Sequence, residues 1–237
     1  MVAELGGKSA SIVFADADLD VAAMLSAHQG PLMQSGQSCA CASRLLVHES
    51  VYDDFVGKFL AVISTARIGD PFDPAVRFGP VISQAAADRI LGVIDSAVND
   101  ASGELLTGGR RLAGELAAGY YLEPTVFGNV DNHSDLAQNE TFGPVVSVIG
   151  FSDDAEALRL ANATRYGLNA FVHTRDLTRA HRVARQLEAG SVWINSRSDI
   201  SPQGPYGGYK QSGFGRTGGI DGLHEFLQTK NIRIGMG

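Results

Sequence analysis

A chain of 237 residues with 44% hydrophobic and 19% charged side chains can bury a sizeable core, as one large domain or two small ones. Its formal net charge of -7 argues against a nucleic-acid binder, which normally presents a basic face. No apolar run reaches the roughly 18 residues that span a bilayer, and two cysteines make no disulfide framework. The opening "MVAELGGKSA" has neither the basic leader nor the apolar stretch of a secretory signal, so the expected compartment is the cytoplasm.

Along the chain, short β-type runs alternate with amphipathic helices. "SASIVFA" (residues 9 to 15) reads as a buried strand, after which Asp16 or Asp18 offers a helix N-cap. "RLLVHE" (44 to 49) is a second strand. Val51, Phe55, Val56, Phe59, Leu60 and Ile63 then share one helical face. "GDPFDPAVRFGPVIS" (69 to 83) is a connector punctuated by Pro and Gly. The next amphipathic helix carries Ile90, Val93, Ile94, Ala97 and Val98. Strands are expected at "ELLTGG" (104 to 109) and at "VVSVIGF" (145 to 151), the latter with Ser152 as a cap. "NAFVHT" (169 to 174), a helix over 177 to 188 ended by Gly190, and "SVWIN" (191 to 195) complete the pattern. Such alternation implies βαβ units in a mostly parallel, open twisted sheet flanked by helices, an α/β fold. Ligands in such sheets sit beyond the carboxyl ends of the strands, which selects the loop after 195 as part of a site.

"GFGRTG" (213 to 218) matches the dinucleotide pattern G-x-G-x-x-G, but no strand precedes it and no acidic residue follows at the right distance before the chain ends. Its glycines are expected to serve tight turns. Both cysteines fall in "MQSGQSCACASR" (33 to 44), one residue apart. Structural zinc wants four ligands at wider spacing, and the six histidines show no ligand clustering, so no metal is expected. A bridge between 39 and 41 would close a strained ring. Inert packing and a nucleophile remain open. The small residues ahead of Cys39 leave room for a substrate and for N–H groups aimed at a reacting oxygen. In "ELGGKS" (4 to 9), Glu4 precedes the first strand and Gly6–Gly7 lets the backbone approach a ligand closely. A carboxylate there can act as a base toward water if Cys39 lies opposite.

These blocks resemble the aldehyde dehydrogenase family, in order and over essentially the whole chain. "ELGGKS" resembles that family's glutamate signature, and "GQSCACASR" its cysteine signature, with an arginine five residues after Cys39. "GDPFDP…GPVIS", "LEPTVF", "NETFGPVV", "YGLNAFVHT", "GSVWIN" and "GPYGGYKQSGFGR" resemble further blocks. The resemblance implies NAD(P)-dependent oxidation of a small-molecule aldehyde to a carboxylic acid. Cys39 would attack the carbonyl to give a thiohemiacetal and then a thioester, and its N–H would supply an oxyanion donor. Glu4 would be the base that activates the hydrolytic water, which argues against the coenzyme A-acylating branch. Leu5, Gly6, Glu140 and Phe142 would contact NAD or NADP, with Glu140 on the nicotinamide ribose and Phe142 by the ring. Arg197, Ser198 and Tyr206 would meet the substrate, with Arg197 favouring an anionic tail. Cys41 reads as a packing residue.

The chain departs from the family in length. Members are much longer, with a cofactor domain mostly ahead of the glutamate motif, where this chain begins. Residues 1 to 207 are expected to form the catalytic domain, and 208 to 237 a crossover ending in "FLQTKNIRIGMG" (226 to 237), which resembles the strand that pairs across subunits. A homo-oligomer through that strand is expected, and this chain alone is not expected to oxidise aldehydes. The rival readings are an idle module acting only through association, and an ester hydrolase using Cys39 and Glu4 without a cofactor.

Overall fold

In the computed structural model, which describes residues 1–236, strands and helices alternate around one principal sheet. In chain order they are β1 (Ala3–Glu4), β2 (Ser9–Val13), α1 (Leu19–Gln29), β3 (Ala42–His48), α2 (Tyr52–Ser64), α3 (Gln84–Asn99), β4 (Glu104–Thr107), β5 (Thr125–Gly128), α4 (Asp135–Gln138), β6 (Val145–Phe151), α5 (Asp154–Asn162), β7 (Tyr166–Gly167), β8 (Asn169–His173), α6 (Leu177–Gln186), β9 (Ser191–Ile194), β10 (Tyr209–Lys210), β11 (Gly213–Phe214) and α7 (Gly219–His224). Seven strands form the sheet, in the order β4-β5-β6-β3-β2-β8-β9. All neighbours run parallel except β4, which pairs antiparallel with β5 at one edge.

Period-2 alternation sends side chains to both faces, so both faces are covered. Ile12, Leu46, Ile149 and Val172 join Ile90 and Ile94 of α3 and Val183 of α6 in one layer. Val13, Leu45, Val47 and Phe171 join Ala23 of α1 and Phe55 and Phe59 of α2 in the other. Of the two aspartates offered as caps, Asp18 accepts the Val21 N–H at 3.2 Å and starts α1. Asp16 instead takes the N–H groups of Arg175 and Asp176 and pairs with Arg179.

Four expectations are corrected. The N-cap of α5 is Asp153, not Ser152, whose N–H and hydroxyl both donate to the Glu156 carboxylate. Helix α6 stops at Gln186. Gly190 is not its stop signal: a Cβ there would lie 1.6 Å from the Gly207 carbonyl oxygen, so Gly190 permits a close backbone crossing. Strand β5 was not foreseen, because its four residues follow a proline too closely to show a period.

The fourth correction moves the site. Glu4 leads into β2, Cys39 into β3, and Glu140 and Phe142 into β6, so the family blocks gather at the amino ends of the strands and not the carboxyl ends. The loop after β9 does leave a carboxyl end, but Asn195, with φ at 50°, turns it back. Gln29 at the end of α1 then donates to Ser196 O at 3.4 Å and accepts from the Ser198 N–H. That loop therefore returns to the same end as the cysteine.

The segment from 208 also folds back. β10 pairs with β7, and β11 pairs with β1, setting Gly213 opposite Glu4. A Cβ on Gly213 would meet the Ala3 carbonyl oxygen at 1.9 Å, and Gly215 and Gly218 hold φ of 75° and 70°. The G-x-G-x-x-G stretch thus makes a strand pair and turns. Residues 226–236 form no strand within the chain and carry exposed Phe226, Leu227, Ile232, Ile234 and Met236, while Gly237 lies outside the described residues.

One buried group links the fold to pH. His173 Nε2 lies 3.1 Å from Ser11 Oγ, which lies 3.0 Å from Ser26 Oγ. Burial lowers the His173 pKa from 6.5 to about 4. The folded state therefore prefers the neutral ring: its contribution is unchanged above pH 6.5 and is lost as pH falls from 6.5 toward 4. Urea midpoints across that window should show about 3 kcal/mol more loss in the wild type than in His173→Asn. Parallel curves would assign the acid sensitivity elsewhere.

Candidate active site

Three sequence blocks meet through glycines. A Cβ on Gly7 would fall 2.2 Å from the Cys39 carbonyl oxygen, so the glutamate block lies directly against the cysteine's backbone. The Gly7 N–H donates to Glu140 Oε1 at 3.0 Å, and a Cβ on Gly6 would lie 2.4 Å from Glu140 Oε2. A Cβ on Gly36 would lie 2.0 Å from the Gly143 carbonyl oxygen, joining the cysteine loop to the "NETFGP" loop. Gln34, Ser35 and Gly36 run successively through the left-handed region, with φ of 50°, 57° and 70°. This costly stretch is held from outside: Ser35 Oγ donates to Gly79 O at 2.8 Å, and Gln37 Oε1 accepts from the Ile82 N–H at 2.8 Å. The Pro- and Gly-rich connector thus braces the cysteine loop.

Cys39 is partly buried and Cys41 is 5% exposed. Burial, then the Glu140 carboxylate, then Glu4 push the Cys39 thiol up, while the N–H groups of Cys39 and Ala40 pull it down. Cys41 is pushed up to about 12 by burial, which suits packing. Burial also raises the Glu4 carboxyl, and Arg216 partly opposes the rise. Arg216 is anchored by donating to Gly215 O at 2.7 Å and Gly208 O at 3.1 Å. Glu4 is thus a stronger base than a free carboxylate, on a backbone tied down by β11 and by the Leu5 N–H donating to Ser212 O at 3.0 Å.

Glu140 and Phe142 fit one end of a nicotinamide dinucleotide: a carboxylate oriented by a backbone N–H beside an aromatic ring 44% exposed. Phe142 holds φ at 47°, and Arg89 Nη1 donates to the adjacent Thr141 O at 2.7 Å to steady that turn. Leu5, 52% exposed, sits on the rim with Gly6. Among the described residues, no three His, Cys, Asp or Glu side chains gather to hold a metal, and no helix is long and apolar enough to cross a membrane.

Of the substrate residues expected from the sequence, Tyr206 is half-buried and within electrostatic reach of both Cys39 and Glu4. Ser198 is tied to Gln29. Arg197 is exposed and does not line the groove beside β9. That groove, about 280 Å³, is lined instead by Trp193, Asp199, Ile200, Ser201 and Tyr206. Trp193, Ile200 and Asn169, whose Nδ2 donates to Tyr206 Oη at 3.2 Å, were not read as site residues. The one available signal was a polar Asn opening the apolar run "NAFVHT".

A cysteine, a carboxylate and an aromatic–acid pair thus converge at one end of an α/β sheet. A model of the aldehyde dehydrogenase family matches residues 1–232, and the chain belongs to that family. It is 44% identical over 234 residues to an aldehyde dehydrogenase of Emericella nidulans, an alignment covering 99% of this chain and 46% of that protein. Betaine aldehyde dehydrogenase of Staphylococcus aureus, solved with NAD+, superposes at TM-score 0.93 with 39% identity over 97% of this chain and 45% of that one. HpcC of Thermus thermophilus gives TM-score 0.90 and 41% identity over 98% and 48%. An indole-3-acetaldehyde dehydrogenase solved with NAD+ gives 0.91 and 39% over 97% and 46%. The chain spans about half the length of the relatives it matches.

Proposed function

We propose that this chain carries the catalytic portion of an NAD(P)-dependent, hydrolytic aldehyde dehydrogenase. The observation that carries the reading is the double contact of Gly7, its Cα against the Cys39 carbonyl and its N–H on Glu140. Cys39 Sγ adds to the aldehyde carbon, and the N–H of Cys39 stabilises the oxygen that becomes negative. A bound nicotinamide dinucleotide would supply the hydride acceptor, and Glu140 and Phe142 would hold its nicotinamide riboside end. Glu4 then takes a proton from water as the water attacks the thioester, and the acid leaves with Sγ restored. The groove beside Tyr206 receives the rest of the aldehyde. Residues 226–236 offer an exposed apolar segment suited to pairing with a second copy in a homo-oligomer. A cytoplasmic setting agrees with a free thiol doing chemistry.

The two half-reactions separate on an activated ester, which acylates a thiol without any dinucleotide. With p-nitrophenyl acetate, Glu4→Gln should keep the acylation burst but slow its turnover by roughly 100-fold or more, the usual scale of general-base loss. Acetyl-enzyme should then accumulate and be visible by intact-mass spectrometry. Equal loss of burst and turnover would remove Glu4 from the role of base.

A further inference from the structure

Behind the site lies a cavity of about 20 Å³ lined by Lys8, Ser9, Arg44 and Asn169. That is room for one water, provided polar partners surround it. They do: among the described residues Ser9 Oγ and Asn169 Oδ1 are buried without a partner, and Lys8 is 2% exposed. Arg44 is already engaged with Lys8 O, Asn132 Oδ1, Leu160 O and Ala161 O. The other end of the Asn169 amide leaves the cavity, its Nδ2 donating to Tyr206 Oη at 3.2 Å. Asn169 is 4% exposed and therefore has no bulk water to satisfy Oδ1.

We propose that an internal water bridging Lys8 and Asn169 fixes this amide, so that Tyr206 is left with its O–H free to bind a hydroxyl oxygen on the substrate's carbon chain. The chemistry follows from donor counting. Burial and then the Arg44 charge lower the Lys8 pKa to about 7, against the pull of Glu140. Below that pH Lys8 is an ammonium that can only donate, so the water between it and Asn169 presents a hydrogen to Oδ1. That orients Nδ2 toward the phenol, whose oxygen becomes an acceptor and whose own proton needs another partner. Tyr206 lines the groove with Trp193, Ile200 and Ser201, where substrate chains would lie. Asp199 on the same groove, with Glu4 near Tyr206, disfavours an anionic tail and favours a neutral hydroxyl. Burial, Cys39 and Glu4 all keep the phenol protonated, consistent with a donor. The assignment deepens the aldehyde dehydrogenase reading and rests on it for the identity of the substrate, but the binding it describes does not require a live thiol.

Trp193, the chain's one tryptophan, reports on the groove directly. The probes are lactamide and propionamide, which differ by one hydroxyl, followed by Trp193 fluorescence and ligand-observed NMR on the whole chain. Wild type should prefer lactamide, and Tyr206→Phe should weaken lactamide by roughly tenfold while leaving propionamide within twofold. Asn169→Asp should abolish the same preference, because a carboxylate would take the phenol proton, whereas a merely structural Asn169 would weaken both probes together. A crystal structure at high resolution should show water between Lys8 and Asn169. Equal affinities in wild type, no binding of either probe, parallel losses in Tyr206→Phe, or a dry cavity would each overturn the proposal. Selective binding without a Cys39-dependent ester burst would instead retain the Tyr206 site and reject the enzyme reading.

Discussion

Cys39→Ser is expected to abolish the burst of p-nitrophenol that the wild-type chain releases from p-nitrophenyl acetate, while Cys41→Ala keeps it. The alcohol is a far weaker nucleophile than a thiolate, and the chain places no histidine beside it to act as a general base among the described residues. The surroundings also predict the shape of the pH profile. Burial, Glu140 and Glu4 hold the thiol above its ordinary value. The burst rate should therefore climb with pH through and beyond the range near 8.5 where a free cysteine levels off. Glu140→Gln should shift that rise to lower pH, since it removes the larger of the two carboxylate contributions. A burst that survives in Cys39→Ser would place the acylation elsewhere. One that levels off below the free-cysteine range would show that the carboxylates do not face the sulfur as described.

The largest stability effect is expected at Arg44, which is 1% exposed. Its guanidinium donates to Lys8 O at 3.0 Å, Asn132 Oδ1 at 3.0 Å, Leu160 O at 2.8 Å and Ala161 O at 2.8 Å. It thereby caps the last carbonyls of α5 and pins the glutamate block to β3. Arg44→Met keeps the volume and relieves the desolvation that lowers the Arg44 pKa to about 10. That relief competes with three stranded acceptors, each costing about 1–3 kcal/mol when buried and unpaired, while Leu160 O keeps the Asn132 Nδ2 donor at 3.4 Å. The acceptors outweigh the charge, and a net loss of about 4 kcal/mol is expected in urea unfolding. Arg44→Lys should recover only part of it, because one ammonium cannot span four acceptors on three segments. A Met variant within about 1 kcal/mol of wild type would mean that water replaces the guanidinium at those carbonyls.

How far the sequence could be read follows from the range of each interaction. Period-2 and helical spacing are local, so β2, β3, β6, β8 and the helices α2 and α3 were visible from patterns such as "VVSVIGF" and the Phe55–Phe59–Ile63 face. The order of the blocks along the chain carries the family resemblance, and it is that resemblance which puts Glu4, Cys39, Glu140 and Phe142 forward together. Cap residues are half legible: the sequence offers Asp16 or Asp18 and only the structure selects Asp18, and Ser152 stands in for Asp153, since the two share the same chemistry and only the backbone decides which oxygen faces the first turn.

The sequence by itself therefore determined the α/β class and the family, because those depend on residue type and order, and it put Cys39 and Glu4 forward as the reacting pair. Only the tertiary structure decided which end of the sheet they occupy. That depends on where α1 and the left-handed turn at Asn195 return the chain, a choice set by packing across residues far apart in sequence. It also replaced Arg197 with Trp193, Ile200 and Asp199 along the groove, and exposed the pairing of Asn169 with Tyr206 across 37 positions. A hydrogen bond between side chains leaves no periodic trace in a sequence, so the partner, and the proton it frees, appear only when the chain is folded.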